Sequence, residues 1–300
     1  MAMFFAVRLV MRYSVSGLLA VSMLFASVVI NVSATPSHLA FAQTRAALPQ
    51  FDHIVVAVEE NHSYAQVIGS GSAPYINSLA SQGALFTDSH ADAHPSEPNY
   101  LALFAGSTLG ISSDACPEHL AQPDLGGELL GVGDSFVGYS ESMPSAGFTG
   151  CSFPGSALYA RKHNPWADFS DVAGKQTNKP FSNFPGTFSA LPTVSFVVPN
   201  QIDDMHSGSI STADSWLKNH LDGYVQWAKT HNSLFVLTWD EDNGTSANHI
   251  ATIFVGAHVK IGHYSESIDH YNVLRTIEAI YGLAFTRNAA NVATITNVWL

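Results

Sequence analysis

The chain has 300 residues, 46 % of them hydrophobic, which is enough for one large α/β domain with a real core. Twelve Lys and Arg face 24 Asp and Glu, and the formal charge of −12 excludes a nucleic-acid binder and opposes docking on an anionic bilayer. Fourteen histidines stand out in a chain so poor in Lys and Arg, because imidazole gains charge on mild acidification.

The first segment reads as an export leader. Arg8 and Arg12 precede an apolar run from about Val15 to Ile30, and small-residue cleavage signatures follow at residues 32–34 and 40–42. Residues 1–42 are therefore expected to be a signal peptide, with an uncleaved membrane anchor as the alternative. The mature chain, 43–300, is expected to be a secreted single domain and a monomer, with no membrane span of its own. Residues 54–58 are an unbroken apolar run, the mark of a parallel strand covered on both faces, and lead directly into Glu59-Glu60-Asn61. "SAPYINSLASQG" predicts a helix closed by a left-handed Gly83. In "HPSEPNYLALFAG" Ser96 reads as a helix N-cap, with Glu97 favourable in the first turn. The same helix start would also welcome an alkoxide or a phosphoryl oxygen.

Between about residues 116 and 192 Gly, Pro, Ser and Phe become frequent, and an irregular excursion from the core is expected rather than a second domain. Its Cys116 and Cys151 predict a disulfide in an oxidising compartment. In the chain-entropy account such a loop closure is worth about 4 kcal/mol. Further buried strands are predicted within 195–200, 233–244 and 250–259, and amphipathic helices over 212–230 and 270–282. Strands alternating with helices predict a three-layer αβα sandwich with a mostly parallel sheet.

Three acidic clusters follow three of these strands: Glu59-Glu60, Asp203-Asp204 with His206, and Asp240-Glu241-Asp242. Ligands in open α/β sheets sit outside the carboxyl ends of the strands, so the three clusters converge on one rim. Crowded carboxylates repel one another unless a cation joins them, and oxygen-rich clusters favour hard divalent metals. Taken singly, each cluster could be a solvated strand end or a turn cap, and "DEDNG" fails the EF-hand pattern because Gly244 comes at its fifth position. His163 and His206 lie beside charged and turn-forming residues, and His270 opens the last helix, where a capping or surface place competes with function. His53, His220, His231 and His258 read as structural or exposed. There is no G-x-S-x-G elbow, HExxH, P-loop or Rossmann glycine pattern.

"VVAVEENHSY", "HPSEPNYLALFAGST", "ARKHNPW", "VVPNQIDDMHSG", "TWDEDNG" and "HYNVLRTIEAIYGL" occur in this order. From about Leu48 to the C-terminus the chain thereby resembles the acid phosphatase/phospholipase C-type phosphoesterases of the alkaline-phosphatase-like superfamily. The resemblance implies a nucleophile at Ser96 and one divalent metal held by Glu60, Asn61, Ser96, Asp240 and Glu241. Glu241 departs from the Asp of some relatives, and extra His ligands of relatives with more metals have no match here. The resemblance further implies His163 and His206 around the phosphoryl group, with Asn61 and Asn99 as donors to its oxygens and His206 or His163 as the general acid. An acidic optimum follows if an imidazolium must deliver the proton. The implied substrates are small phosphomonoesters or phosphoinositide headgroups such as that of phosphatidylinositol 3-phosphate, admitted through the Phe-rich 116–192 region. A phospholipase C-like phosphodiesterase and a non-catalytic exported metal- or phosphate-binding protein are the alternatives.

Overall fold

The computed structural model describes residues 48–153 and 158–300; the expected leader lies outside them. In chain order these residues form β1 (His53–Glu59), α1 (Tyr64–Val67), α2 (Pro74–Gln82), β2 (Ala84–His90), α3 (Ser96–Ala105), α4 (Leu125–Val132) and β3 (Phe136–Ser140). Then come β4 (Asn178–Pro180), β5 (Val194–Val198), α5 (Ile210–Ala228), β6 (Ser233–Trp239), β7 (His249–Gly256), β8 (Gly262–Ile268) and α6 (His270–Tyr281). The eight strands make one sheet in the order β4-β3-β5-β1-β6-β7-β2-β8. Pairing is parallel except where β7 runs antiparallel to β6 and to β2.

Strand alternation divides the core in two. On β1, Ile54, Val56 and Val58 face a cluster completed by Tyr100, Leu101 and Phe104 of α3 and by Val273, Leu274 and Ile277 of α6. Val55 and Ala57 face the other way, against Ile76 and Leu79 of α2 and Trp216, Leu217, Leu221 and Val225 of α5. The expected three-layer αβα sandwich with a mostly parallel sheet is what forms. The long apolar run of β1 follows from its place in the middle of that sheet, covered on both faces.

Three local expectations need correction. Gly83 is extended, with φ −134°, rather than left-handed. Glycine is required there because a Cβ would collide with the carbonyl oxygen of Phe254. The 116–192 segment is not wholly irregular, since it supplies α4 and the strands β3 and β4 that extend the sheet beyond β5. Gly138 obscured β3 in the sequence; it is needed because a side chain there would run into the Trp166 ring. His270 is buried at the start of α6, where Asp269 is the cap, and is not a surface residue. Cys116 and Cys151 form the expected disulfide.

Candidate active site

The carboxyl ends of the central strands are stitched together by backbone hydrogen bonds. Glu60 N–H donates to the Asp204 carbonyl at 2.8 Å, and Asp240 N–H donates to the Glu59 carbonyl at 2.9 Å. Asn61 turns the chain out of β1 in a left-handed conformation, φ 55°, and its N–H reaches Asp240 Oδ1 at 3.2 Å. The three acidic clusters therefore do meet. Glu59 and Glu60 are both fully buried, yet strand alternation sends them to different surroundings. Glu60 meets Ser96, Tyr100 and His163, whereas both carboxylate oxygens of Glu59 lack a hydrogen-bond partner. Burial, then the charges of Asp204 and Asp203, push the Glu59 carboxyl well above its ordinary value, which fits a protonated acid.

Ser96 is the first residue of α3, and Pro95 occupies the cap position, so its side chain does not cap the helix as expected. Its hydroxyl is directed instead at two carboxylates, Glu60 Oε2 and Glu241 Oε1, each at 3.2 Å. The loop before it is held by Asn99. Asn99 Oδ1 accepts from Asp92 N–H and Ala93 N–H, and Nδ2 donates to the carbonyls of Ala93 and Pro95. The expectation that Asn99 donates to a phosphoryl oxygen is thereby corrected: its amide has no donor left, and it positions the loop that carries Ser96. His94 in that loop binds Glu241 through Nδ1 and the Thr245 carbonyl through Nε2. His270 ties the same region to β6, contacting Asp92 Oδ2 at 3.1 Å and the Trp239 carbonyl at 2.9 Å.

A cationic flank faces this acidic group. His163, fully buried, lies between Glu60 Oε1 at 3.0 Å and Asp204 Oδ2 at 3.3 Å. Burial opposes its charge, but Glu60 and Asp204 outweigh it and raise the imidazole to about 9. In return, and against its own burial, Glu60 is held well below the carboxylate range by the His163 charge and by bonds from His163 and Tyr100. Tyr100 donates to Glu60 Oε1 at 2.8 Å and stacks on His163. His206 lies 5.4 Å from His163, ring to ring, and follows Met205, whose left-handed φ of 76° is uncommon for a residue with a side chain. Burial lowers the His206 pKa, and the charges of His163 and Lys162 lower it further against the pull of Glu60.

Among the described residues, one group of three brings His or carboxylate ligand atoms within 4.8 Å of one another: Glu60, His163 and His206. The acidic side opens into a cleft of about 480 Å³ lined by Asn61, His94, Pro95 and 241–244. The phenylalanines of the 116–192 segment do not line it. Phe169 is in the core, and Phe181, Phe184 and Phe188 pack beside α5. Sequence reasoning missed Tyr100, His94 and Lys162. Tyr100 looks like an ordinary core aromatic in the apolar run of α3, and His94 and Lys162 sit next to the Ser96 and His163 motifs in plain view.

A sheet end lined with carboxylates, flanked by the buried His163 and the half-buried Lys162 and carrying a directed serine, is suited to a phosphate ester, and the chain is an enzyme of the phosphatase class. Residues 70–284 match the Phosphoesterase family, and the chain belongs to it. A phosphatidylinositol-3-phosphatase of Mycobacterium tuberculosis is 54 % identical over 256 residues, spanning 84 % of this chain and 84 % of its own length. A phosphate-repressible acid phosphatase of Penicillium chrysogenum is 31 % identical over 226 residues, which are 69 % of this chain and 54 % of that longer one. Among solved structures, an alkaline phosphatase superfamily protein of Vibrio parahaemolyticus superposes with a TM-score of 0.54 at 11 % identity, over 82 % of this chain and 71 % of its own. That likeness concerns the fold, and it is the fold the sequence resemblance implied.

Proposed function

We propose that the chain is an exported, metal-dependent acid phosphatase that cleaves phosphate monoesters through a phosphoserine at Ser96, with phosphoinositide headgroups among its substrates. The observation that carries this reading is the Ser96 hydroxyl, buried and aimed at two carboxylates at once. The name of the Mycobacterium tuberculosis relative supports the phosphoinositide, and the Cys116–Cys151 disulfide supports an oxidising destination. Among the described residues no helix is long and apolar enough to cross a membrane.

The donor set fits a hard divalent cation on the acidic side. Asp240 Oδ2 is buried without a hydrogen-bond partner, and burial with the charges of Glu60 and Glu241 lifts the Asp240 carboxyl well above its ordinary value. Such a group lacks a positive partner. Glu60, Asn61, Ser96, Asp240 and Glu241 would hold the metal, which supplies Lewis acidity and favours the serine alkoxide. The Glu60–His163–His206 group is the other seat to consider. The Lys162 ammonium, 3.5 Å from His206 Nε2, makes that side a place for an anion rather than a second cation.

The side chains then divide the work. Ser96 Oγ attacks phosphorus, its proton passing to the carboxylates that already accept it, as the bond from phosphorus to the ester oxygen breaks. His206 delivers a proton to the departing alkoxide. His163 is less suited to that task, because two carboxylates sandwich it; its charge holds Glu60 ionised. Water next attacks the phosphoserine, with His206 taking its proton, and the bond from phosphorus to Oγ breaks as the carboxylates return the proton to Ser96, releasing phosphate. Acid quenching during turnover of a phosphomonoester is expected to trap one phosphoryl group on the Ser96 peptide by mass spectrometry. An unmodified peptide in wild type, with undiminished turnover in Ser96→Ala, overturns the reading. Comparing p-nitrophenyl phosphate with p-nitrophenyl phosphorylcholine separates it from the phosphodiesterase alternative.

A further inference from the structure

The turn Arg161–His163 places three basic side chains in succession and sends each to a different destination. Arg161 is buried and held by three bonds, donating to Asp168 Oδ1 at 2.8 Å and to the carbonyls of Thr149 and Glu118. His163 goes to Glu60 and Asp204. Lys162 goes to the edge of the site. Its Nζ lies 2.7 Å from Asp114 Oδ2 and 3.5 Å from His206 Nε2, with the two ion-paired side chains 18 % and 27 % exposed.

Three observations give this lysine a task. Its ammonium feels the charges of Glu60 and Asp240, so it belongs to the electrostatics of the acidic group, and with Asp114 these outweigh burial and raise its pKa. It lies 3.5 Å from Nε2 of His206, the side chain to which the proposed mechanism gives proton delivery. Its partner is solvent-reached, and an ion pair in contact with water is easily exchanged for a better anion. Asp114 does not depend on Lys162 for its place, because its Oδ1 also accepts the N–H of Glu97 at 3.0 Å.

We propose that Lys162 is a substrate-binding residue that leaves Asp114 to meet the second negative charge of a phosphate monoester, and that it sets the preference of the site for monoester dianions over diester monoanions. A phosphomonoester carries close to two charges at neutral pH, a diester one. The site is otherwise rich in carboxylates, so each added cation facing the phosphoryl group discriminates by charge. The inference rests on the reading of Ser96 as the nucleophile of a monoesterase.

Binding of inorganic phosphate by calorimetry, and turnover of p-nitrophenyl phosphate and bis(p-nitrophenyl) phosphate, test it in the full chain at pH 7, above the second pKa of a monoester, where the monoester is mostly a dianion. Losing a hydrogen bond to a charged group predicts a phosphate Kd and a monoester KM about tenfold higher in Lys162→Met. The monoester-to-diester ratio of kcat/KM falls in parallel, and Lys162→Arg recovers most of both. Asp114→Asn keeps the bond from Glu97 but releases the lysine, so phosphate binds more tightly; a merely structural ion pair predicts weaker binding. An unchanged phosphate Kd in Lys162→Met, or an equal loss on the two esters, overturns the assignment. Calorimetry does not need the nucleophile. Full turnover in Ser96→Ala removes the monoesterase mechanism itself, whereas a silent Ser96→Ala beside unaltered phosphate binding in Lys162→Met removes only the role of the lysine.

Discussion

The two flanks of the site are built differently. The acidic flank, Glu60, Asn61, Asp240 and Glu241, hangs directly on the ends of β1 and β6, two adjacent parallel strands. The cationic flank, Lys162, His163 and His206, comes from a short turn and from the loop after β5. The first is a set of like charges compensated only in part, by His94 at Glu241 and His163 at Glu60, and Asp240 and Glu241 both sit above their ordinary pKa, through burial first. In the second, two residues pair with acidic neighbours, Lys162 with Asp114 and His163 with Glu60 and Asp204. On the proposed reading the first flank would receive a cation and the second an anion, with Ser96 hydrogen-bonded to Glu60 and Glu241 between them.

That contrast can be broken at several points. Chelation empties the acidic flank alone and is expected to reduce turnover by about 10³-fold or more, with recovery on adding back a divalent metal. Persistence of activity in chelator would remove the metal from the scheme. Glu60→Gln strikes both flanks at once and should match that loss, of order 10³-fold, but without rescue by metal. His206→Gln removes proton delivery to the leaving group and the base for hydrolysis of the phosphoserine; alkoxide release from an alkyl phosphate in the first turnover should fall about 10²-fold, and the first-turnover burst of p-nitrophenol, whose leaving group needs no proton, much less. In wild type the descending limb of the pH–rate profile should lie on the acid side of the ordinary imidazole range, as burial lowers the His206 pKa. A rate still rising toward pH 9 is incompatible with that role.

A smaller effect separates the site from its frame. Asn99→Ala leaves the half-buried amides of Asp92 and Ala93 without their protein partner and should cost about 1–3 kcal/mol of stability. Thermal melting would read it directly. The smallest involves Glu278, far from the site on α6. Its Oε2 is buried without a partner, and burial raises the carboxyl to about 7 although Thr286 donates to Oε1. An acid with a raised folded pKa binds protons more readily folded than unfolded, so stability falls as pH rises from about 4.5 to 7. Tm should be higher by roughly 2–6 °C at pH 5 than at pH 7.5 through Glu278, and Glu278→Gln should reduce the difference measured in wild type by that amount.

The acidic flank was legible in the sequence because central parallel strands announce themselves as apolar runs and the residues that follow them must gather on one rim. β1, β5, β6, β7, α5 and α6 lie where their patterns placed them. β8 was not legible, since its alternating, half-exposed "GHYSESI" looks like a surface loop. The role of Ser96 was visible only in part, because one residue of shift between cap and first turn decides whether a hydroxyl faces its own helix or its neighbours. Asn99 misled for a related reason: an amide beside a serine suggests a ligand donor, and only the fold reveals that both ends are already spent. Lys162 carries no periodic signal at all. Its meaning depends on Asp114 and His206, each more than forty positions away.

The strand order has a practical consequence. Glu60 and Asp240 are separated by most of the described chain, yet β1 and β6 are immediate neighbours at the middle of the sheet, with Glu59 in register with Trp239. Catalysis is in that sense a property of the assembled sheet, and no fragment holding only one of these strands can own it. Turnover becomes a reporter of global folding, and Trp239, wholly buried one residue before Asp240, supplies an optical probe at the same spot. A folding assay that follows fluorescence and phosphate release together would watch one event from two sides.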